Sequence, residues 1–238
     1  MLDIIYVDTG RRQLPTDFIA TILSLESNSA QTYRHPTMTE PEIVDFVLEN
    51  YTKPGESIID PMCGVGTIVK CAIEKGRDGI GIDIVPEYVK LANKWIENET
   101  GQSDKIILGS AFEMRNFPIV RSRIPIRLCF FSPPLLRVNR GSYPENSDQI
   151  GNFGPEKVKL WLKGMGKLMR EAKEILAPDG LLIINWRNQK NGENIIPLAY
   201  LGINQALNLG FNLIGEKLVV FHEQNRAVEF LHVFIKKQ

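Results

Sequence analysis

The chain has 238 residues, 43% of them hydrophobic and 24% charged, which is enough apolar surface for one substantial core, and its 28 basic residues balance 28 acidic ones. That balance excludes a globally basic protein drawn onto nucleic acid by its net field, so any such binding needs a local patch. Cys63, Cys71 and Cys129 include no C-x-x-C pair and the histidines are scattered, so neither a disulfide framework nor a zinc site is readable. No apolar run approaches the length of a bilayer span and the amino terminus lacks the order of a secretory signal, so a cytoplasmic protein without membrane or metal is expected.

In chain order, the first 34 residues carry no assigned element and are treated as an N-terminal extension of a single domain covering residues 1–238. Ser57 to Asp60, "SIID", reads as a short buried strand, and "VGTIVKCAIEKG" as a helix ended by Gly76. "GIGID" is a second strand, and "PEYVKLANKWIENE" a helix opened by Pro86 in its first turn. "KIILG" and "IRLCFF" (Ile126 to Phe131) are further strands. Val158, Trp161, Leu162, Met165, Leu168, Met169, Ala172 and Ile175 then mark one face of a helix whose other face carries lysines. After "APDG" comes the strand "LLIINW", then the helix "PLAYLGINQALNLG", then two closing strands joined by a Gln224-Asn225 turn. Strands separated by helices predict an α/β fold: a parallel, twisted sheet covered on both faces, with a hairpin at the carboxyl end.

Between the first of these strands and its helix lies "IIDPMCGVGTIV". Gly64 and Gly66 let the backbone approach a ligand closely, and the helix start offers unpaired amide hydrogens. Asp83 ends the next strand about 20 residues further on, where an acidic side chain accepts hydrogen bonds from ribose hydroxyls. A glycine pair alone is more simply a tight turn; Asp60, Thr67 and Asp83 beside it favour a cofactor loop. It is not a dinucleotide fingerprint, because Val69 stands where G-x-G-x-x-G needs its third glycine, and no G-K-[ST] follows as in a P-loop. A smaller nucleoside cofactor fits better.

"DPMCGVGT" resembles the D-P-F-x-G-x-G-T loop of the S-adenosylmethionine-dependent DNA amino-methyltransferases, "SPPL" their S-P-P-Y catalytic segment, and "HPTMTEP" their H-P-x-x-x-x-P segment. "SDQIG" and "EILAPDGLLIIN" also look like that family's downstream stretch, so the resemblance runs from about His35 to Asn185. It implies a Rossmann-like seven-stranded methyltransferase sheet with S-adenosylmethionine at the carboxyl ends of its first strands. It further implies a cofactor site of His35, Pro36, Asp60, Pro61, Cys63, Gly64, Gly66, Thr67, Asp83, Ile84, Ser110 and Ala111. In that site Asp83 meets the ribose and the His35-Pro36 segment closes over the cofactor.

The catalytic segment implied is Ser132, Pro133, Pro134 and Leu135. An exocyclic base amine is a poor nucleophile because its lone pair is delocalised into the ring. Acceptors must therefore point at its hydrogens: a hydroxyl from Ser132 and the carbonyl of Pro133, aimed in advance by two stiff prolines. Little general-base strength is needed, and the target base must be flipped out or already single-stranded. Three positions depart from the family pattern. Leu135 replaces an aromatic whose stacking on a base is worth about 1–3 kcal/mol. Ser110 stands where an acidic residue is frequent, and Glu40 where lysine is. Phe131 and Tyr143 are substitutes for the missing ring, although strand alternation puts Phe131 on the face opposite Ser132, in the core.

From Met114 to Pro144 there are six arginines and no acidic residue. This stretch predicts a positive surface flanking the site, with Arg137 and Arg140 as the leading phosphate contacts and Tyr143 beside them. The plainer alternative is a solvated loop. Too little chain is unassigned for a separate target-recognition domain, so recognition is short, lax or delegated to a homodimer partner. The expected activity is methyl transfer from S-adenosylmethionine to a base amine in DNA, cytosine N4 favoured over adenine N6 because the segment begins with Ser. The alternatives are an RNA methyltransferase of the transfer-RNA guanine type and a non-catalytic cofactor-binding subunit.

Overall fold

The computed structural model describes residues 3–7, 39–136, 150, 157–221 and 228–237. In chain order the elements are β1 (Asp3–Val7), α1 (Pro41–Tyr51), β2 (Ser57–Asp60), α2 (Thr67–Glu74), β3 (Asp78–Asp83), α3 (Pro86–Thr100) and β4 (Ile106–Leu108). After a 3₁₀ segment come α4 (Pro118–Arg121), β5 (Ile126–Phe131), α5 (Val158–Ile175), β6 (Leu176–Arg187), β7 (Gln189–Asn191), β8 (Asn194–Ile196), α6 (Leu198–Asn208), β9 (Phe211–Phe221) and β10 (Glu229–Lys236). Eight strands form one sheet in the order β1-β9-β10-β6-β5-β2-β3-β4. The pairs from β6 through β4 are parallel, and β10 runs antiparallel between β6 and β9.

Side-chain alternation divides the core into two layers. Ile59, Ile80, Ile82, Cys129, Phe131, Leu182 and Ile184 face one side, where α5 presents Trp161, Met165, Leu168 and Met169. Ile58, Leu128, Phe130, Leu181 and Ile183 face the other, covered by α1 and α2. Strands buried on both faces read as continuous apolar runs for this reason. The seven strands and closing hairpin expected from the resemblance are all present. Among the described residues no helix is long and apolar enough to cross a membrane.

Four features differ from expectation. The N-terminal extension supplies β1, an eighth strand lying parallel to β9 through Asp3↔Lys217 to Val7↔Phe221. Helix α1 was unassigned, although Pro41 opens it and Ile43, Val44, Val47 and Leu48 are buried at helical spacing. "APDG" lies within β6 rather than before it. The ladder with β5 steps from Ile126↔Leu176 directly to Leu128↔Leu181, so these residues form an irregular bulge. Finally, β7 and β8 form a small separate hairpin turned at Gly192, whose φ is +61°. The expected Gln224-Asn225 turn lies outside the described residues.

Candidate active site

The loop after β2 is shaped by its own side chains and by the next strand. Asp60 Oδ1 accepts from the Met62 amide at 3.0 Å. The Cys63 amide donates to the Ile82 carbonyl at 3.0 Å, and the Gly66 amide to the Cys63 carbonyl at 2.8 Å. Gly64 and Gly66 both have left-handed backbones, with φ of +52° and +86°. A Cβ on Gly66 would meet Ala92 Cβ at 3.2 Å and Ile96 Cδ1 at 3.3 Å, whereas one on Gly64 would meet no described residue within 4 Å. Gly66 is therefore required by helix packing as well as by conformation, while no described residue crowds Gly64. Gly66→Ala should cost about 2–4 kcal/mol, combining backbone strain with overpacking, and Gly64→Ala only about 1–2 kcal/mol. Urea denaturation measures both, and equal midpoints for the two variants would contradict this assignment.

Asp83 ties the end of β3 to the loop: its Oδ2 accepts from the Gly64 amide at 2.7 Å and its Oδ1 from the Val85 amide at 2.9 Å. Asp60 is 3% exposed. Burial, reinforced by the charge of Asp83 and opposed by the Met62 amide, pushes its carboxyl up to about 8. Burial also raises Asp83, against the amides of Val85, Gly64 and Ile84. Among the described residues neither carboxylate has a Lys or Arg in ion-pair contact. Beside them Thr67, the first residue of α2, is 4% exposed, and its Oγ1 has no hydrogen-bond partner among the described residues. Among the described residues, two acids without a counter-cation, an unmatched buried hydroxyl and an uncrowded Gly64 suit a ligand carrying positive charge and hydroxyl groups.

The proline corner is at the same edge. Strand β2 pairs with β5 through Ile58↔Leu128 and Ile59↔Cys129, so the chain leaves Asp60 and Ser132 from the carboxyl ends of adjacent strands. Ser132 Oγ lies 2.7 Å from Thr39 Oγ1, which joins the "HPTMTEP" segment to the corner. Trp161 Nε1 donates to the Pro134 carbonyl at 3.0 Å, and Gln189 Nε2 to the Leu136 carbonyl at 2.6 Å. The segment is thus held from the α1 side, from α5 and from β7. Leu135 is partly buried against the core, and Phe131 is fully buried, as alternation predicts.

The other expected site residues are distributed unequally. Pro61 and Cys63 are buried within the loop. Ile84 packs with Val85, Tyr88 and Trp95. Ser110 Oγ accepts from the Phe112 amide at 3.2 Å, capping the 3₁₀ segment Ala111–Asn116, and Ala111 is packed in the core. His35, Pro36, Arg137, Arg140 and Tyr143 lie outside the described residues.

The single arginine surface is corrected. Arg123 is bound by both carboxylate oxygens of Asp78, at the start of β3, and Arg127 pairs with Asp179 at 2.9 Å. Both sit at the amino edge of the sheet, about 17 Å along β5 from Ser132. Arg115 pairs with Glu171 at 3.0 Å. Sequence proximity misled here because a strand carries its two ends to opposite edges. Thr39, Trp161 and Gln189 were missed as site residues. Thr39 lay within a quoted motif and Trp161 within the apolar face of α5, but nothing local marked Gln189.

The fold is similar to that of solved methyltransferase structures. TrmN from Thermus thermophilus superposes over 96% of this chain and 55% of its own with a TM-score of 0.61 at 18% identity. SMU.1697c from Streptococcus mutans, solved in complex with SAH, covers 84% of this chain and 99% of its own with a TM-score of 0.51 at 16% identity. Residues 12–94 match the N6_N4_Mtase family model, described as DNA methylase. The Type II methyltransferase M2.DpnII of Streptococcus pneumoniae is 39% identical over 66 residues, 28% of this chain and 25% of the relative. These matches agree with the motif resemblance over part of the chain, and the matched stretch spans about a quarter of that curated relative's length.

Proposed function

We propose that the protein transfers a methyl group from S-adenosylmethionine to the exocyclic amine of a base in DNA, with cytosine N4 as the favoured target. The observation that carries this reading is the pairing, at one sheet edge, of an uncompensated Asp60–Asp83 acidic loop with the pinned Ser132–Pro134 corner. The cofactor supplies an electrophilic methyl on a sulfonium.

Asp60, Asp83, the Gly64 backbone and Thr67 would hold that cofactor. Asp83 spends one lone pair of each oxygen on backbone amides and keeps others for ribose hydroxyls. Ser132 Oγ and the Pro133 carbonyl accept the hydrogens of the target amine, turning its lone pair out of the ring plane. Because Trp161 fixes the Pro134 carbonyl, these acceptors need no reorganisation when the base arrives. The amine's surplus proton passes to water after transfer, so no strong base is required at the corner. Orientation supplies the larger share of the rate.

Labelled methyl transfer to DNA and to RNA, followed by nucleoside analysis, tests the reading. Label on N4-methylcytosine is expected. Label on RNA alone would replace DNA with RNA as substrate, and label on neither would leave a cofactor-binding subunit.

A further inference from the structure

A second polar cluster stands at the same edge, on the side of Ser132 away from the glycine loop. Strand β6 pairs with β5 through Phe131↔Ile184, so Asn185 is the next residue along beside Ser132. Ile184 faces the α5 layer and Ile183 the α1 layer, so Asn185 lies on the α1 face. Ser132 is held toward that same face by Thr39, two residues before α1.

Asn185 is 5% exposed, and its Nδ2 donates to Glu229 Oε2 at 2.5 Å. Glu229, 4% exposed at the start of β10, pairs through its other oxygen with Arg187. A carboxylate paired with arginine is an acceptor only. It therefore fixes the amide: the nitrogen must face Glu229 and the oxygen must face away. Asn185 Oδ1 is buried, and no described residue donates to it. A buried amide oxygen in that state calls for a donor.

We propose that Asn185 Oδ1 shares one of the target amine's two hydrogens with Ser132 Oγ while the Pro133 carbonyl takes the other, and that Glu229, anchored by Arg187, is the positioning residue that keeps this oxygen available. The inference rests on the amine-methylation reading and deepens it. Acceptors at Ser132, Pro133 and Asn185, with no donor among them on the Asn185 side, select a base edge that donates hydrogens. They reject a keto edge, whose oxygen would meet Oδ1 without a proton between them.

The test uses the 238-residue chain carrying Asn185→Ala, Glu229→Gln or both, comparing kcat and KM for methyl transfer to DNA, S-adenosylhomocysteine affinity and melting temperature. In Glu229→Gln the new amide oxygen stays with Arg187. Its nitrogen then faces Asn185, whose amide must turn its own oxygen inward to accept. Each single variant should lower kcat by about tenfold with cofactor affinity unchanged, and the double should be no slower than Asn185→Ala. Wild-type kcat in Glu229→Gln, or a double-variant loss equal to the product of the singles, would overturn the positioning role. A wild-type chain that binds S-adenosylhomocysteine yet methylates no DNA would instead overturn the underlying function, and this inference with it.

Discussion

Ser132→Ala is expected to lower methyl-transfer turnover by about 100-fold to 1000-fold while leaving S-adenosylmethionine affinity nearly unchanged, the range typical of removing one preorganised polar group from the reacting atoms. The hydroxyl sits beyond the last residue of β5, so its loss leaves the ladder with β2 and β6 intact. It also lies outside the loop formed by Asp60, Gly64 and Asp83. Among the described residues the cost to folding is the hydrogen bond with Thr39, about 1 kcal/mol. Single-turnover kinetics separate the two effects, because an aligning group changes the chemical step rather than KM. A variant with wild-type turnover would remove Ser132 from the mechanism.

Cofactor binding near neutral pH is expected to release up to one proton, and Asp60→Asn to abolish that release. Burial pushes the Asp60 carboxyl up to about 8, so the free protein holds a proton there that an exposed aspartate would lose near 3.8. A cation bound against Asp60 favours the ionised form and expels the proton. Stability follows the same linkage. With the folded pKa raised, Asp60's contribution is fully present below about pH 4 and is lost as pH rises through about 8. Asp83, also raised, acts in the same direction. For Asp60 alone the loss across that window is on the order of a few kcal/mol. Calorimetric titration in buffers of different ionisation enthalpy measures the proton count, and a buffer-independent heat would contradict the protonated Asp60.

Local patterns carried the central fold well. Continuous apolar strands, glycine-ended helices and the loop-plus-Asp83 spacing predict the parallel half of the sheet, because each depends on neighbours close in sequence. What escaped depends on distant partners. Strand β1 finds its place by pairing with β9, at the far end of the chain. The hairpin "QKNGENII" is too polar to show alternation. Of the site, the glycine loop and proline corner were legible as motifs. The contacts that pin them, from Thr39, Trp161 and Gln189, arise from topology. Asn185 and Glu229 are likewise paired across the antiparallel β6–β10 ladder, which no spacing encodes.

The most direct measurement is a crystal structure of the chain with bound S-adenosylhomocysteine. The ligand is predicted to lie over Gly64, with Asp83 on its ribose and its sulfur turned toward Ser132 and Pro133. A ligand bound at another edge of the sheet, or with its sulfur facing away from that corner, would contradict the account.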